Sequence, residues 1–382
     1  MLAPDPAVPH RDALLDGRAL HAPGAERVYA KYRVGESLRV VHRTSGGHHV
    51  AARTFPAGES EDAYRGALAA AVPAGPLPPV AHVPELDAVL WAFPNDRRLE
   101  RLPLLAGRSS ALDRLVGRRA VTPKLVAYCA ERSATAQCLD AGGRLLAYAK
   151  VHVGDGAQRE RRQLERAERE LGADDPHLRV PRLIGAADAA LALEAVPGRR
   201  LDTLDRAELP AALERLGAAL ATLHERCAVP ERRFERLDRE RLAKAVGVIA
   251  RARPDAGPAA ARLLATLLEH TDEAAGPAVC LHGDPGLRNA LLENGRVALI
   301  DFEDASAGPA AADLGRVSAA LGPVAAEALL RGYATVRQPP GAHARRWHTA
   351  ASVLVRSGLP AVSRVRPLAL RRLRRLLEEA WA

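Results

Sequence analysis

At 382 residues, 48% hydrophobic and 26% charged, the chain has the length and composition of a globular protein with more than one core. No apolar run of roughly 18 residues occurs and "MLAPDPAVPH" lacks the regions of a secretory leader, so no membrane span is expected and the cytoplasm is the expected location. The net charge of +9 does not point to nucleic acid: arginine is spread over the whole chain, Lys31, Lys124, Lys150 and Lys244 are its only lysines, and aromatics are 3%.

Residues 24 to 200 alternate short β-like runs with Pro and Gly punctuation: "ESLRVVHR", "HHVAART", "KLVAYCA", "RLLAYAKVH" and "ALALEAV". This part reads as written twice. At one constant offset Tyr32 recurs as Tyr128, Ser37 as Ser133, Gly46-Gly47 as Gly142-Gly143 and Ala51 as Ala147; farther on, "VPEL" from Val83 meets "VPRL" from Val180. The expectation is a duplicated β lobe, against two unrelated hairpins that share Gly-Gly turns. The same offset sets Thr54, preceded by Arg53, on Lys150.

From 203 to 270 the apolar spacing turns to three and four, as in "AELPAALERLGAALATLHERC", and predicts helices. His224 lies on the apolar face of this run and reads as a core histidine. Strands are expected again around Ala278 and Val297, with helices from there to the end. In the last of these, Leu368, Leu370, Leu373, Leu376 and Leu377 form one stripe opposite arginines, which reads as a solvated terminal helix. Cys129, Cys138, Cys227 and Cys280 have no C-x-x-C spacing and read as reduced, mostly buried thiols.

The densest chemistry is "LHGDPGLRNALLENGRVALIDFED", from Leu281 to Asp304. In-line phosphoryl transfer needs a carboxylate to orient an acceptor hydroxyl and oxygen ligands to hold Mg²⁺ against the phosphates. Asp284 follows the strand "AVCL" and fits the base. A hairpin of Ala290–Leu292 and Arg296–Ile300, turned at Glu293-Asn294-Gly295, would return Asn289 and Asp301 beside it as metal ligands. The competing reading, turn-forming acids on a surface hairpin, leaves "HGD" unexplained.

These residues, with "ALIDFEDASAGPAAADL", resemble the aminoglycoside phosphotransferase and choline-kinase-like family. The resemblance is strong over Leu281–Leu314 and extends by pattern over 120 to 320. It implies an α+β, bilobal, protein-kinase-like fold, here preceded by the degenerate lobe copy: residues 1–118 as the extension, 119–200 as the nucleotide-binding lobe and 201–382 as the catalytic helical lobe. It implies Asp284 as base, Asn289 and Asp301 as Mg²⁺ ligands, His282 as loop-orienting, and Asp313 as a buried acid bracing the loop. Leu287 and Arg288 depart from the polar loop residues of many relatives and are expected near substrate.

The resemblance further implies that Lys150 holds the ATP phosphates, paired to a glutamate of "GAQRERRQLERAEREL": Glu165 is favoured, with Glu168 and Glu160 as alternatives. Ser133 in the turn "ERSAT" would cover the phosphates, and backbone groups from Glu194 to Val196 would meet the adenine edge. Glu303 and Asp304 are candidate substrate contacts or mere neighbours of the metal ligand. The expected activity is an ATP- and Mg²⁺-dependent transfer to a hydroxyl of a small molecule: an aminoglycoside or other antibiotic, a sugar or an amino alcohol. A peptide or protein Ser/Thr kinase and a nucleotide-binding pseudokinase or basic scaffold are the alternatives.

Overall fold

The β-like runs of the first half fold into two antiparallel sheets in a computed structural model that describes residues 1–17, 24–172, 174–235, 237–321 and 323–381. After a short helix α1 (Arg11–Leu15), the first sheet comprises β1 (Glu26–Arg33), β2 (Ser37–Arg43), β3 (His49–Thr54), β4 (Val80–Val83) and β5 (Ala88–Ala92), in the order β1-β2-β3-β5-β4. Helix α2 (Ser60–Ala69) joins β3 to β4.

Helix α3 (Ser110–Val116) leads on to the second sheet. It starts at Ser109, whose hydroxyl accepts from Leu112 N, and stops at Gly117 in the left-handed region at φ +68°. The second sheet contains β6 (Thr122–Cys129), β7 (Ser133–Leu139) and β8 (Leu145–His152); helix α4 (Gly156–Leu171) and a short β9 (Leu178–Arg179) follow β8, before β10 (Leu183–Ala187) and β11 (Ala190–Glu194). Its order, β6-β7-β8-β11-β10, repeats that of the first, with a helix after the third strand in both.

The register refines the offset read from sequence. Tyr32 pairs with Leu38 and Tyr128 with Ala134, as a simple shift requires, but Arg39 faces Arg53 while its counterpart Thr135 faces Lys150. A register shift between Cys138 and Leu139 accounts for the extra residue. The strand position equivalent to Lys150 is therefore Arg53, not Thr54.

Strand β2 is buried at every residue but the last, because the first sheet is covered on both faces. Alternate residues divide between two cores. Leu38, Val40, Ala52 and Leu90 pack with α6 (Arg239–Ala252), α7 (Gly257–Glu269) and α12 (Pro367–Glu378). Val41, Ala51, Val89 and Trp91 pack against Ala134, Ala136, Ala147 and Ala149 of the second sheet.

The helical half is built on α5 (Leu209–Arg226), which crosses α9 (Pro323–Ala334) at backbone contact: a Cβ on Gly217 would lie 2.0 Å from Leu329 O, and one on Gly332 1.7 Å from Glu214 O. Over α5 lie two small sheets. One comprises β12 (Arg199–Arg200), β14 (Ala290–Glu293), β15 (Arg296–Leu299) and β9; the other pairs β13 (Ala278–Leu281) with β16 (Ser306–Pro309). Asn294 at φ +44° and Gly295 at φ +87° make the tight turn of the β14–β15 hairpin.

Helix α8 (Ala311–Ser318) precedes α9, and α10 (Ala342–Ser352) runs on as a π-helical turn, Val353–Gly358, into α11 (Leu359–Ser363). In α12 the leucine stripe is a core face rather than a solvated one. Leu370, Leu373 and Leu377 are buried, Leu368 is exposed, and Arg374 and Arg375 pair outward with Glu378 and Glu379. Cys138, Cys227 and Cys280 are buried free thiols and Cys129 is half-buried.

Candidate active site

The loop after β13 is fixed from below by one buried carboxylate. Asp313, at the start of α8, accepts from His282 N at 2.7 Å and Gly283 N at 3.0 Å, and is itself 3.2 Å from His224 Nε2. Since a carboxylate only accepts, His224 carries its proton on Nε2 and takes the Tyr333 hydroxyl on Nδ1 at 2.9 Å. The histidine read as a core residue is thus a support of the loop. Nothing in the sequence linked it to Asp313 on another helix.

His282 holds the next layer. Its Nε2 donates to Ile300 O at 3.0 Å and its Nδ1 accepts from Asp284 N at 3.3 Å, which ties the loop to the end of β15. Gly283 sits at φ +80°, where a Cβ would come within 2.2 Å of Asp304 O. Only glycine allows that approach of the two chain segments. Asn289 donates from Nδ2 to Asp284 O at 2.9 Å and accepts on its backbone O from Ile300 N at 2.9 Å. Asp284, Asn289 and Asp301 are thereby gathered at one end of the hairpin.

Asp301 has a left-handed backbone at φ +70°, a conformation Asp tolerates better than most residues. Its Oδ1 lies 2.7 Å from Lys150 Nζ, and Glu160 Oε2 lies 2.7 Å from the same ammonium. Burial disfavours the charge on Lys150, but Glu160 and Asp301 outweigh it and raise its pKa. The partner of Lys150 is Glu160, not Glu165. Glu160 lies in the first turns of α4, next to β8, and is fully buried there, whereas Glu165 is farther along the helix and pairs with Arg161. Glu168 has no place in the pair either.

Asp284 is surrounded by arginines. Arg316 Nε is 2.9 Å from Oδ1, Arg356 Nη1 is 3.5 Å from Oδ1, and Arg288 Nη2 is 3.4 Å from Oδ2. Burial alone would raise this carboxyl, yet Arg356, Arg316 and Arg288 hold it well below the usual carboxylate range. Sequence reasoning placed Arg288 here and missed the other two. Arg316 lies one helical turn after Asp313, a spacing that offered a signal. Arg356 comes from a distant π-helical turn and offered none.

The remaining candidates fare differently. Ser133 opens β7 beside the turn that contains Glu131 and Arg132. Glu303, a candidate substrate contact, is held by Arg132 at 3.3 Å, and Asp304 O accepts from the Ser306 hydroxyl. The Glu194 carboxylate is bound by Arg179 at 2.7 Å, its N donates to Arg182 O, and its O accepts from Val196 N. Leu287 packs against the core of the helical half.

The donor set fits a hard divalent cation such as Mg²⁺. With Nδ2 of Asn289 committed to Asp284 O, its amide oxygen is the atom left for a cation, beside the Asp301 carboxylate. Among the described residues no helix is long and apolar enough to cross a membrane.

The fold is that of solved aminoglycoside phosphotransferases, which have a protein-kinase-like fold. A thermostable mutant of aminoglycoside phosphotransferase APH(4)-Ia, apo form, is 15% identical with a TM-score of 0.55, covering 71% of this chain and 97% of that one. A further single-residue variant of that thermostable mutant, in ternary complex with ADP and hygromycin B, is 16% identical with a TM-score of 0.53, covering 71% and 96%. ADP-bound aminoglycoside phosphotransferase APH(2'')-Ib is 13% identical with a TM-score of 0.50, covering 71% and 97%. No curated protein sequence matches the chain. A model of the phosphotransferase enzyme family matches residues 148–348, more than half of the length, and the chain belongs to that family.

Proposed function

We propose that the protein transfers the γ-phosphoryl group of ATP to a hydroxyl of a small molecule. The observation that carries this reading is the placement of Lys150 Nζ 2.7 Å from both Glu160 and Asp301, with Asp284 and Asn289 in the loop tied to the same hairpin. Lys150 presents a fixed positive charge to the α- and β-phosphates, and the backbone of the β6–β7 turn with Ser133 covers them. Asn289 and Asp301 would hold Mg²⁺, which when bound neutralises charge on the phosphate oxygens. Asp284 orients the acceptor hydroxyl and takes its proton as that oxygen forms the new bond to γ-phosphorus and the bond to the β,γ-bridging oxygen breaks, releasing ADP. A relative of the same fold, APH(4)-Ia, forms a ternary complex with ADP and hygromycin B, in keeping with a cleft that holds nucleotide and acceptor together.

In this reading residues 119–200 are the nucleotide-binding lobe, 201–382 the catalytic lobe, and 1–118 carry a degenerate copy of the nucleotide lobe. The repeated strand order and the equivalence of Arg53 with Lys150 support the copy.

The test is ATP consumption over a panel of sugars, amino alcohols, aminoglycosides and hydroxy acids, with Asp284→Asn as control. The reading expects turnover with at least one class and a loss on the order of 10²-fold or more in the variant. Unchanged turnover in the variant would remove Asp284 from the role of base.

A further inference from the structure

Three guanidiniums from three separate elements converge on one carboxylate: Arg288 from the loop, Arg316 from α8 and Arg356 from the π-helical turn. Two of them are well inside the protein, with side chains 17% and 13% exposed for Arg316 and Arg356. Together they form a cationic pocket beside Asp284, and planar guanidiniums in a partly dry site are the groups that would stabilise an incoming oxyanion.

Further cations lie beyond these three. Burial and the neighbouring Arg364, Arg288 and Arg316 depress the Arg366 guanidinium. Lys31 of β1 is pushed down to about 8 by burial and by Arg364, Arg39, Arg33 and Arg132. Asp202, an acid within electrostatic reach of Arg288, is already engaged by Arg200 at 2.6 Å. Glu303 is engaged by Arg132.

This arrangement conflicts with catalysis as it stands. A base must offer an oxygen to the acceptor hydroxyl, but both Asp284 oxygens accept from arginines. An incoming oxyanion that draws guanidiniums to itself would release one of those oxygens at the moment the hydroxyl arrives. An acceptor ammonium would instead meet like charge in a site of low dielectric.

We propose that the acceptor is an anion, a hydroxyl compound that also carries a carboxylate or phosphate group, and that this group is bound by Arg288, Arg316 and Arg356. The proposal rests on the phosphotransferase reading and names its substrate class. Planar forks arranged around one point are the geometry that binds such oxyanions with two bonds each.

The experiment measures ATP consumption with acceptors matched in skeleton and differing in charge: glucose, glucosamine, gluconate and glucose 6-phosphate, with glycerol, serinol, glycerate and glycerol phosphate as a second series. The expected result is turnover confined to anionic members. Preference for the carboxylates or the phosphates then tells the two sources apart. Arg288→Gln and Arg316→Gln should each raise KM for the anionic acceptor roughly 10- to 100-fold and leave KM for ATP unchanged. Arg288 is half exposed, so its variant stays readable if the Arg316 variant unfolds.

Preference for neutral or ammonium members would overturn the anionic acceptor and leave phosphoryl transfer standing. A rise in KM for ATP in the arginine variants, with equal loss for every acceptor, would assign the arginines to the transferred phosphoryl group and also overturn it. Turnover with no compound of any charge would overturn the phosphotransferase reading and this proposal with it.

Discussion

Arg53 of the first sheet donates to Glu131 of the second at 2.7 Å, joining the two sheets at the turn between β6 and β7. Arg39 at 3.2 Å and Arg97 at 2.7 Å complete the ring around this carboxylate, whose side chain is 4% exposed. The cation equivalent to Lys150 is thus committed to a carboxylate of the neighbouring sheet. Glu131→Ala would strand three arginines, and we expect it to destabilise the protein by about 3–5 kcal/mol. Urea denaturation of the variant measures this, and a change below about 1 kcal/mol would mean that the arginines repair to solvent.

Glu160 and Glu165 should separate in kinetics. Glu160→Gln removes a buried partner of Lys150 and is expected to lower kcat/KM for ATP roughly 10- to 100-fold. Glu165→Gln, which breaks only an exposed pair with Arg161, should change it by less than about 2-fold. Steady-state rates at varied ATP decide between them, and equal effects would contradict the pairing.

Backbone strain makes a second contrast. Gly283→Ala forces a side chain onto Asp304 O at φ +80°, and should cost roughly 2–5 kcal/mol and displace the loop that carries Asp284. Gly58→Ala has a similar φ, +82°, but nothing within 4 Å, so it should cost about 1 kcal/mol and spare activity. The pair can be read from thermal melts alongside ATP consumption.

His348 should make the fold sensitive to mild acid. Burial pushes its imidazole from 6.5 down to about 4, while its Nε2 hydrogen-bonds Ala274 O. The unfolded chain binds a proton near 6.5 and the folded chain only near 4. Stability is therefore full above the upper value and falls by about 3 kcal/mol as pH drops through that window. In His348→Gln, which can keep the bond to Ala274, the denaturation midpoint should vary less over the same range.

The gathering of the loop residues was legible because it is local. Asp284, Asn289 and Asp301 flank one hairpin whose Asn-Gly turn fixes the register, and spacing alone brought them together. The glutamate of the lysine pair was not, since one turn of α4 separates Glu160 from Glu165 and both satisfy the same helical pattern. Arg356 and His224 reach the loop through packing of distant helices, which no periodicity encodes. The repeated strand order was visible as an offset, yet a single bulge in β7 and β8 moved the matching strand position from Thr54 to Arg53.

The double-sided burial of the first sheet also imposes an order on biosynthesis. Leu38, Val40 and Leu90 are made early, but part of their cover is Leu370, Leu373 and Leu377, made about 280 to 340 residues later. During translation part of that sheet face stays wet and adhesive until α12 has left the ribosome. A chain stopped before Pro367 would carry the whole loop of Asp284 and still present an open apolar surface, so loss of α12 should appear first as aggregation.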